Sequence, residues 1–189
     1  MDTAIFVTDK LYARPYVPSD AEAISKEANN PKVSKFMTNM FPSPYTLADA
    51  EAWIKIATER KPIRNFAIFK LDGTYVGGIG LKPGADVYYR TMEIGYWIGE
   101  AHWGQGLTTE VARHFTRWAF ENIPELLRLE AGVFDGNHAS LRVLAKVGYT
   151  SEGPRRKAGF KHGKAFDIHY MSMLREECPG LKEDAKAAE

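Results

Sequence analysis

Residues 92–110 read MEIGYWIGEAHWGQGLTTE. The apolar, aromatic-rich stretch Glu93–Ile98 has the character of a strand. It runs into Trp103-Gly104-Gln105-Gly106, and a helical pattern starts near Thr108. A strand that feeds a glycine loop opening onto a helix is a place to hold phosphate. The first helical turn presents unpaired N–H groups, and the helix dipole favours negative charge there. Gly104 and Gly106 permit backbone turns that side chains forbid and let a ligand approach closely. A G-x-G in a chain with 16 glycines carries little weight alone. A second segment, NHASLRVLAKVGYTSEG from Asn137 to Gly153, begins 31 residues after Gly106 and strengthens the reading.

Working outward, Leu11–Arg14 reads as a strand ended by Pro15, and Ser19 as the N-cap of a helix through Ala28. Thr46 and Asp49 make a partial capping box, behind which Ala50, Trp53, Ile54 and Ala57 follow helical spacing. Asn65–Leu71 and Thr74–Lys82 form a hairpin about Asp72-Gly73, and Tyr89–Ile98 joins it as a third antiparallel strand. The central helix, Thr108–Glu121, turns Val111, Phe115, Trp118 and Ala119 to one face. Arg128–Val133 is a short strand, and Asn137–Val147 a helix closed by Gly148. Two last strands flank a basic turn, Arg155–Lys164, and end near Met173. This order predicts an α+β fold, a mixed sheet with helices packed on it, in one domain over residues 1–175. Residues 176–189 are a polar tail, expected to fray. Gly77-Gly78-Ile79-Gly80 is read as strand, because Lys82-Pro83-Gly84 follows where a dinucleotide site needs a helix.

The composition narrows the function. A net charge of +1 over 189 residues supplies no bulk field for nucleic acid or anionic membrane. No apolar run approaches the ~20 residues of a membrane span, and the start MDTAIFVTDK has no secretory pattern. The single cysteine, Cys178, excludes an intrachain disulfide and suits a reducing cytoplasm. The five histidines show no H-E-x-x-H spacing and no cysteine partners, so no metal is expected.

The two quoted segments together resemble the GNAT superfamily of acyl-CoA-dependent N-acetyltransferases, most closely its ribosomal-protein N-terminal acetyltransferase branch. Trp103–Thr108 matches that family's Q/R-x-x-G-x-G/A pyrophosphate loop. Asn137, Ser140, Lys146, Gly148, Tyr149, Glu152 and Gly153 match its N-x-x-S…K-x-G-F/Y…E-G block. Trp103 departs from the usual Gln or Arg, and Thr108 from the usual Gly or Ala. Thr108 could crowd a phosphate or add a hydrogen bond. The resemblance implies a mostly antiparallel twisted sheet of about seven strands flanked by about four helices. Strands four and five splay apart to admit acetyl-CoA.

Site roles follow from the same resemblance. Gly104, Gln105, Gly106, Leu107, Thr108 and Thr109 would hold the pyrophosphate on backbone N–H groups, while Trp97 and Ile98 offer backbone groups to the pantetheine amides. Asn137 would bond the pantetheine arm, serve as a plain N-cap, or do both. Ser140 would protonate or hydrogen-bond the departing sulfur, or be a first-turn serine satisfied by backbone. Tyr149 is an alternative proton donor or simply core. Glu93 is the candidate base, or a structural carboxylate paired with an arginine or an N–H. A base matters because an α-amine of pKa about 7.7–8.0 is roughly a tenth to a sixth neutral at pH 7, whereas a lysine amine needs much more help.

The expected activity is acetyl transfer from acetyl-CoA directly to a primary amine in a ternary complex, by a cytoplasmic monomer or homodimer. The acceptor is a small amine, an amino acid or a protein N-terminus; neither nucleic acid nor membrane is a partner. A cysteine acyl-enzyme is disfavoured because Cys178 lies far from the loop in sequence. The Arg155, Arg156, Lys157, Lys161 and Lys164 cluster is a solvated hairpin or an acceptor-side patch for acidic substrates. By the same resemblance Phe36, Met37, Met40, Phe41 and Tyr45 would lie over the acceptor side as an apolar, adaptable wall, or serve core packing. The competing function is a catalytically silent acyl-CoA-binding regulatory module.

Overall fold

The computed structural model describes residues 3–181. Apolar residues at every second position pack on opposite faces of a single sheet. Its strands are β1 (Phe6–Val7), β2 (Leu11–Pro15), β3 (Asn65–Lys70), β4 (Tyr75–Pro83), β5 (Thr91–Ile98), β6 (Arg128–Phe134), β7 (Thr150–Lys161) and β8 (Lys164–Leu174). They lie in the order β1-β2-β3-β4-β5-β6-β8-β7. Every neighbouring pair is antiparallel except β5–β6, which is parallel. The helices are α1 (Ala21–Ala28), α2 (Pro31–Ser34), α3 (Leu47–Glu59), α4 (Leu107–Asn122) and α5 (His138–Val147).

One face buries Leu11, Ile68, Met92, Ile94 and Leu129 against Val111 and Phe115 of α4 and Leu144 of α5. The other buries Tyr12, Ala67 and Phe69 against Ile24 of α1 and Ala50 and Ile54 of α3. Strand alternation produces this sorting, since successive side chains point to opposite faces. The capping box at Thr46–Asp49 starts α3 as expected.

Four local expectations change. A two-residue strand, Phe6–Val7, pairs with Ala13 and Tyr12. It is too short to leave a periodic signal, and it moves the splay to between the fifth and sixth of the eight strands, beside five helices, among the described residues. Ser19 does not cap α1. Pro18–Asp20 forms a 3-10 turn, and the Asp20 carboxylate accepts from the Val17 N–H at 2.9 Å and from Arg14 at 2.7 and 2.8 Å. The basic segment is strand rather than turn. β7 continues to Lys161 because a register shift between Arg155 and Gly159 absorbs the extra residues, leaving His162-Gly163 to turn. The tail's first residues are packed: Arg175–Glu177 forms a 3-10 turn, and Cys178 is buried in the larger core. Residues 182–189 of the expected tail lie outside the described residues.

Glu152 ties the last three strands together. Its carboxylate takes both Arg128 guanidinium nitrogens at 2.6 and 2.7 Å and the Ser172 hydroxyl at 2.8 Å. These donors, Arg128 first, hold its pKa down from the ordinary 4.5 to about 2. A depressed carboxylate pKa stabilises the fold above the unfolded value, and that contribution is lost as pH falls through the folded one. Glu152→Gln is therefore expected to lower the melting temperature at pH 7, with the gap to wild type closing between pH 4.5 and about 2 in an acid titration. A gap that does not change with pH would contradict this.

Candidate active site

β5 and β6 pair at Thr91↔Arg128, Met92↔Leu129 and Glu93↔Glu130, and no further. Beyond Glu93 the two strands diverge, so Ile94–Ile98 and Ala131–Phe134 form the two walls of a splay.

The hydrogen-bond register decides which backbone groups face it. Gly84 N–H donates to Thr91 and Gly99 N–H to Val76, which makes the odd-numbered residues of β5 those bonded to β4. Alternation then turns the N–H and C=O of Ile94, Tyr96 and Ile98 toward the splay. This changes the reading of Trp97, whose backbone groups are directed at Gly78 of β4 while its indole packs in the second core with Phe41 and Tyr75. Ile98 keeps the expected direction, although its carbonyl accepts the Trp103 indole N–H at 2.7 Å. That bond accounts for Trp103 at the start of the glycine loop: it staples the loop to the end of β5.

Gly104 and Gly106 have φ of +74° and +75°, the left-handed region that favours glycine, and neither has any atom within 4 Å of where a Cβ would stand. Gly106 is the N-cap of α4. Its glycine cap offers no side chain to the N–H groups of Leu107, Thr108 and Thr109, which are left as donors at the positive end of a 16-residue helix. This donor set fits a pyrophosphate. Gln105 folds away, its amide donating to the Ala101 carbonyl at 3.1 Å. Leu107 is buried, and Thr108 and Thr109 are half-buried on the first turn.

Across the splay, Asn137 caps α5 by accepting from the Ser140 N–H at 3.2 Å. The Ser140 hydroxyl lies 2.9 Å from the Tyr96 hydroxyl, a hydrogen bond that joins the two walls. Burial pushes Tyr96 up to about 12 despite the Ser140 bond. Tyr96 escaped the sequence reading because it lies in an aromatic run that reads as core; its even position, two from Ile98, was the available signal. Tyr149 is buried and bonds Thr116 of α4 at 3.0 Å, so its hydroxyl serves the core.

Glu93 sits where the strands part. Its carboxylate is 40% exposed, 3.6 Å from Lys82 Nζ, and beside Glu130 on β6. Glu130 was passed over because Leu129, Ala131 and Val133 read simply as strand core. The segment after α1 is tied down at both ends. Asn30 and Lys32 bond Glu100, at the entry to the glycine loop, while Lys161 of β7 donates to the Ser34 and Met37 carbonyls at 2.7 Å. Phe41 of that segment meets the Trp97 ring edge-on and packs against Tyr45, and Met40 is 89% exposed.

Comparison with known proteins agrees with this arrangement. Residues 10–150 match the acetyltransferase (GNAT) domain family. The chain belongs to the GNAT acetyltransferase family. It is 30% identical over 174 residues to the uncharacterized N-acetyltransferase YoaA of Bacillus subtilis, covering 90% of this chain and 97% of that one. Among solved structures, a GNAT-family acetyltransferase from Bacillus anthracis superposes with a TM-score of 0.79 at 23% identity, over 90% of this chain and 98% of that one. RimL, a ribosomal L7/L12 alpha-N-protein acetyltransferase in complex with coenzyme A, does so with a TM-score of 0.78 at 17% identity, over 90% and 97%. At those identities the two structures establish the shared fold alone. The acetyltransferase domain of this chain is thus an N-acetyltransferase on a GNAT scaffold.

Proposed function

We propose that the enzyme transfers an acetyl group from acetyl-CoA directly to a primary amine within a ternary complex. One observation carries this reading: a single strand, β5, brings the whole apparatus together. It places Glu93 at the floor of the splay, Tyr96 on its wall against Ser140, and Ile98 at its mouth against the glycine loop. Bound acetyl-CoA would supply a thioester whose thiol, of pKa about 8.5, leaves readily. The N–H groups of Gly106–Thr109 would hold its pyrophosphate, the Ile94, Tyr96 and Ile98 backbone its amides, and Asn137 the adjoining arm.

The residues divide the proton traffic by their acidities. Glu93 accepts a proton from the incoming amine, directly or through one water, as the N–C bond forms and the C–S bond breaks. Tyr96, pushed up to about 12, is a much weaker acid than a thiol. The Tyr96–Ser140 pair therefore stabilises the departing thiolate by hydrogen bonding, and solvent supplies the sulfur's proton. Cys178 stays out of the chemistry, because burial raises its thiol and places it in the core. Gly95 has nothing within 4 Å of its Cβ position, so the acceptor side of β5 is open, which favours turnover over a silent acyl-CoA-binding module. A small amine, an amino acid and a protein N-terminus are all compatible acceptors, the last being what RimL's name assigns to that protein.

Calorimetric titration with acetyl-CoA, followed by an amine screen, tests the proposal; absence of binding overturns it. Glu93→Gln is expected to lower kcat about 100-fold and Ser140→Ala about tenfold, both with acetyl-CoA affinity nearly unchanged. A Glu93→Gln pH–rate profile identical to wild type would remove Glu93 from the mechanism.

A further inference from the structure

We propose that the acceptor is a primary amine carrying an anionic group, and that Arg155 selects it. The inference rests on the acetyl-transfer reading and deepens it. It starts from the face of the sheet opposite α4 and α5, where Gly95 and Gly132 stand on facing walls of the splay, two residues past Glu93 and Glu130. Around Gly132, a Cβ would meet Ile168 at 3.2 Å, Tyr170 at 3.5 Å and the Glu93 carboxylate at 3.6 Å. The space above Gly132 is thus bordered by the candidate base on one side and the Tyr170 ring on the other.

Arg155 covers that ring. Its guanidinium carbon lies 3.8 Å from the Tyr170 centroid, and its register partner is Ile168, so it shares the same face. The neighbouring carboxylates are already engaged. Glu152 is held bidentately by Arg128, Asp167 accepts the Lys157 N–H at 2.8 Å, and Asp135 lies 3.4 Å from His169. Among the described residues, Arg155 has no carboxylate within 4 Å. A planar guanidinium stacked on an aromatic ring is oriented in advance and keeps its N–H fork for an outside carboxylate or phosphate. An amine placed at Glu93 extends its other end over Tyr170 toward this fork. On the β4 side the cation next to Glu93, Lys82, is 3.6 Å from the Glu93 carboxylate and so is already engaged, and Trp97 with Phe41 forms an aromatic wall.

The test measures kcat/KM at saturating acetyl-CoA for matched acceptors: glutamate α-amide against glutamine α-amide, and short C-terminally amidated peptides bearing Glu against the same peptides bearing Gln. The acidic member of at least one pair should be preferred about tenfold. Which pair it is separates a free amino acid from a peptide terminus. Arg155→Gln should erase the preference while leaving the neutral acceptors and acetyl-CoA affinity unchanged, and Arg155→Glu should transfer it to acceptors bearing lysine. Equal rates within both pairs, or an Arg155→Gln loss shared by acidic and neutral acceptors, overturns the assignment. Acetyl-CoA binding without acetylation of any amine would instead strike the acetyl-transfer reading, and this inference with it.

Discussion

Replacing Gly106 with valine is expected to weaken acetyl-CoA binding at least about 100-fold, equivalent to about 2.7 kcal/mol. Gly106 sits at φ +75° with open space around its Cβ position, so the penalty is conformational and not steric. A β-branched residue at a left-handed position costs on the order of 1–2 kcal/mol. The loop relieves that cost by rotating back to negative φ, which turns the first N–H groups of α4 away from the phosphate. Each charge-assisted hydrogen bond lost there is worth about 1.5–3 kcal/mol. Because the loop is exposed, the melting temperature of the free protein should fall only slightly. Calorimetry and thermal unfolding on the same preparation separate the two effects. Unchanged affinity in a folded Gly106→Val protein would remove the glycine loop from the donor site.

The largest loss of stability is expected from Gly77→Ala. A Cβ at Gly77 would stand 2.1 Å from the Trp97 carbonyl oxygen and 3.0 Å from the Ile98 Cα, both backbone atoms of the adjoining strand. No rotamer change relieves a clash with backbone, so β4 and β5 must separate at the mouth of the splay. Overpacking of this kind costs about 1–3 kcal/mol and more where neighbours cannot yield, so a loss of at least about 3 kcal/mol is expected in urea unfolding. Gly95→Ala is the internal control: its Cβ meets nothing within 4 Å, and its stability should stay within about 0.5 kcal/mol of wild type. Equal stabilities for the two variants would mean that the β4–β5 spacing is looser than this geometry requires.

Much of the site was legible in the chain because its signals are local. The strand–glycine–helix order at residues 93–108 depends only on neighbouring residues, and it leaves N–H donors at the start of α4 without any tertiary contact. Asn137 and Gly148 likewise mark the two ends of α5 by capping chemistry alone. The hairpin at Asp72-Gly73 and the capping box at Thr46 follow the same logic.

Pairs formed across the fold were not legible, because they join residues far apart in sequence. Tyr96 and Ser140, 44 positions apart, meet only once β5 and α5 flank the splay. A tyrosine in an aromatic strand looks like core until register shows which side it faces. The exchange of Trp97 for Tyr96 has the same cause, a one-residue parity set by pairing with β4. Tyr149 matched a motif position, yet its hydroxyl is spent on Thr116. Arg155 appeared as one cation in a basic run, and only the stacking on Tyr170 and the prior engagement of Glu152 distinguish it from its neighbours.

The sequence by itself therefore determined the scaffold, the glycine turn ahead of α4 and the residue types that line the splay, since periodicity, caps and glycine conformations are properties of short segments. Tertiary structure alone decided which hydroxyls meet, which backbone groups line the splay and which cation lies over Tyr170. Those outcomes depend on strand register and cross-strand distance, which arise only when the chain closes on itself.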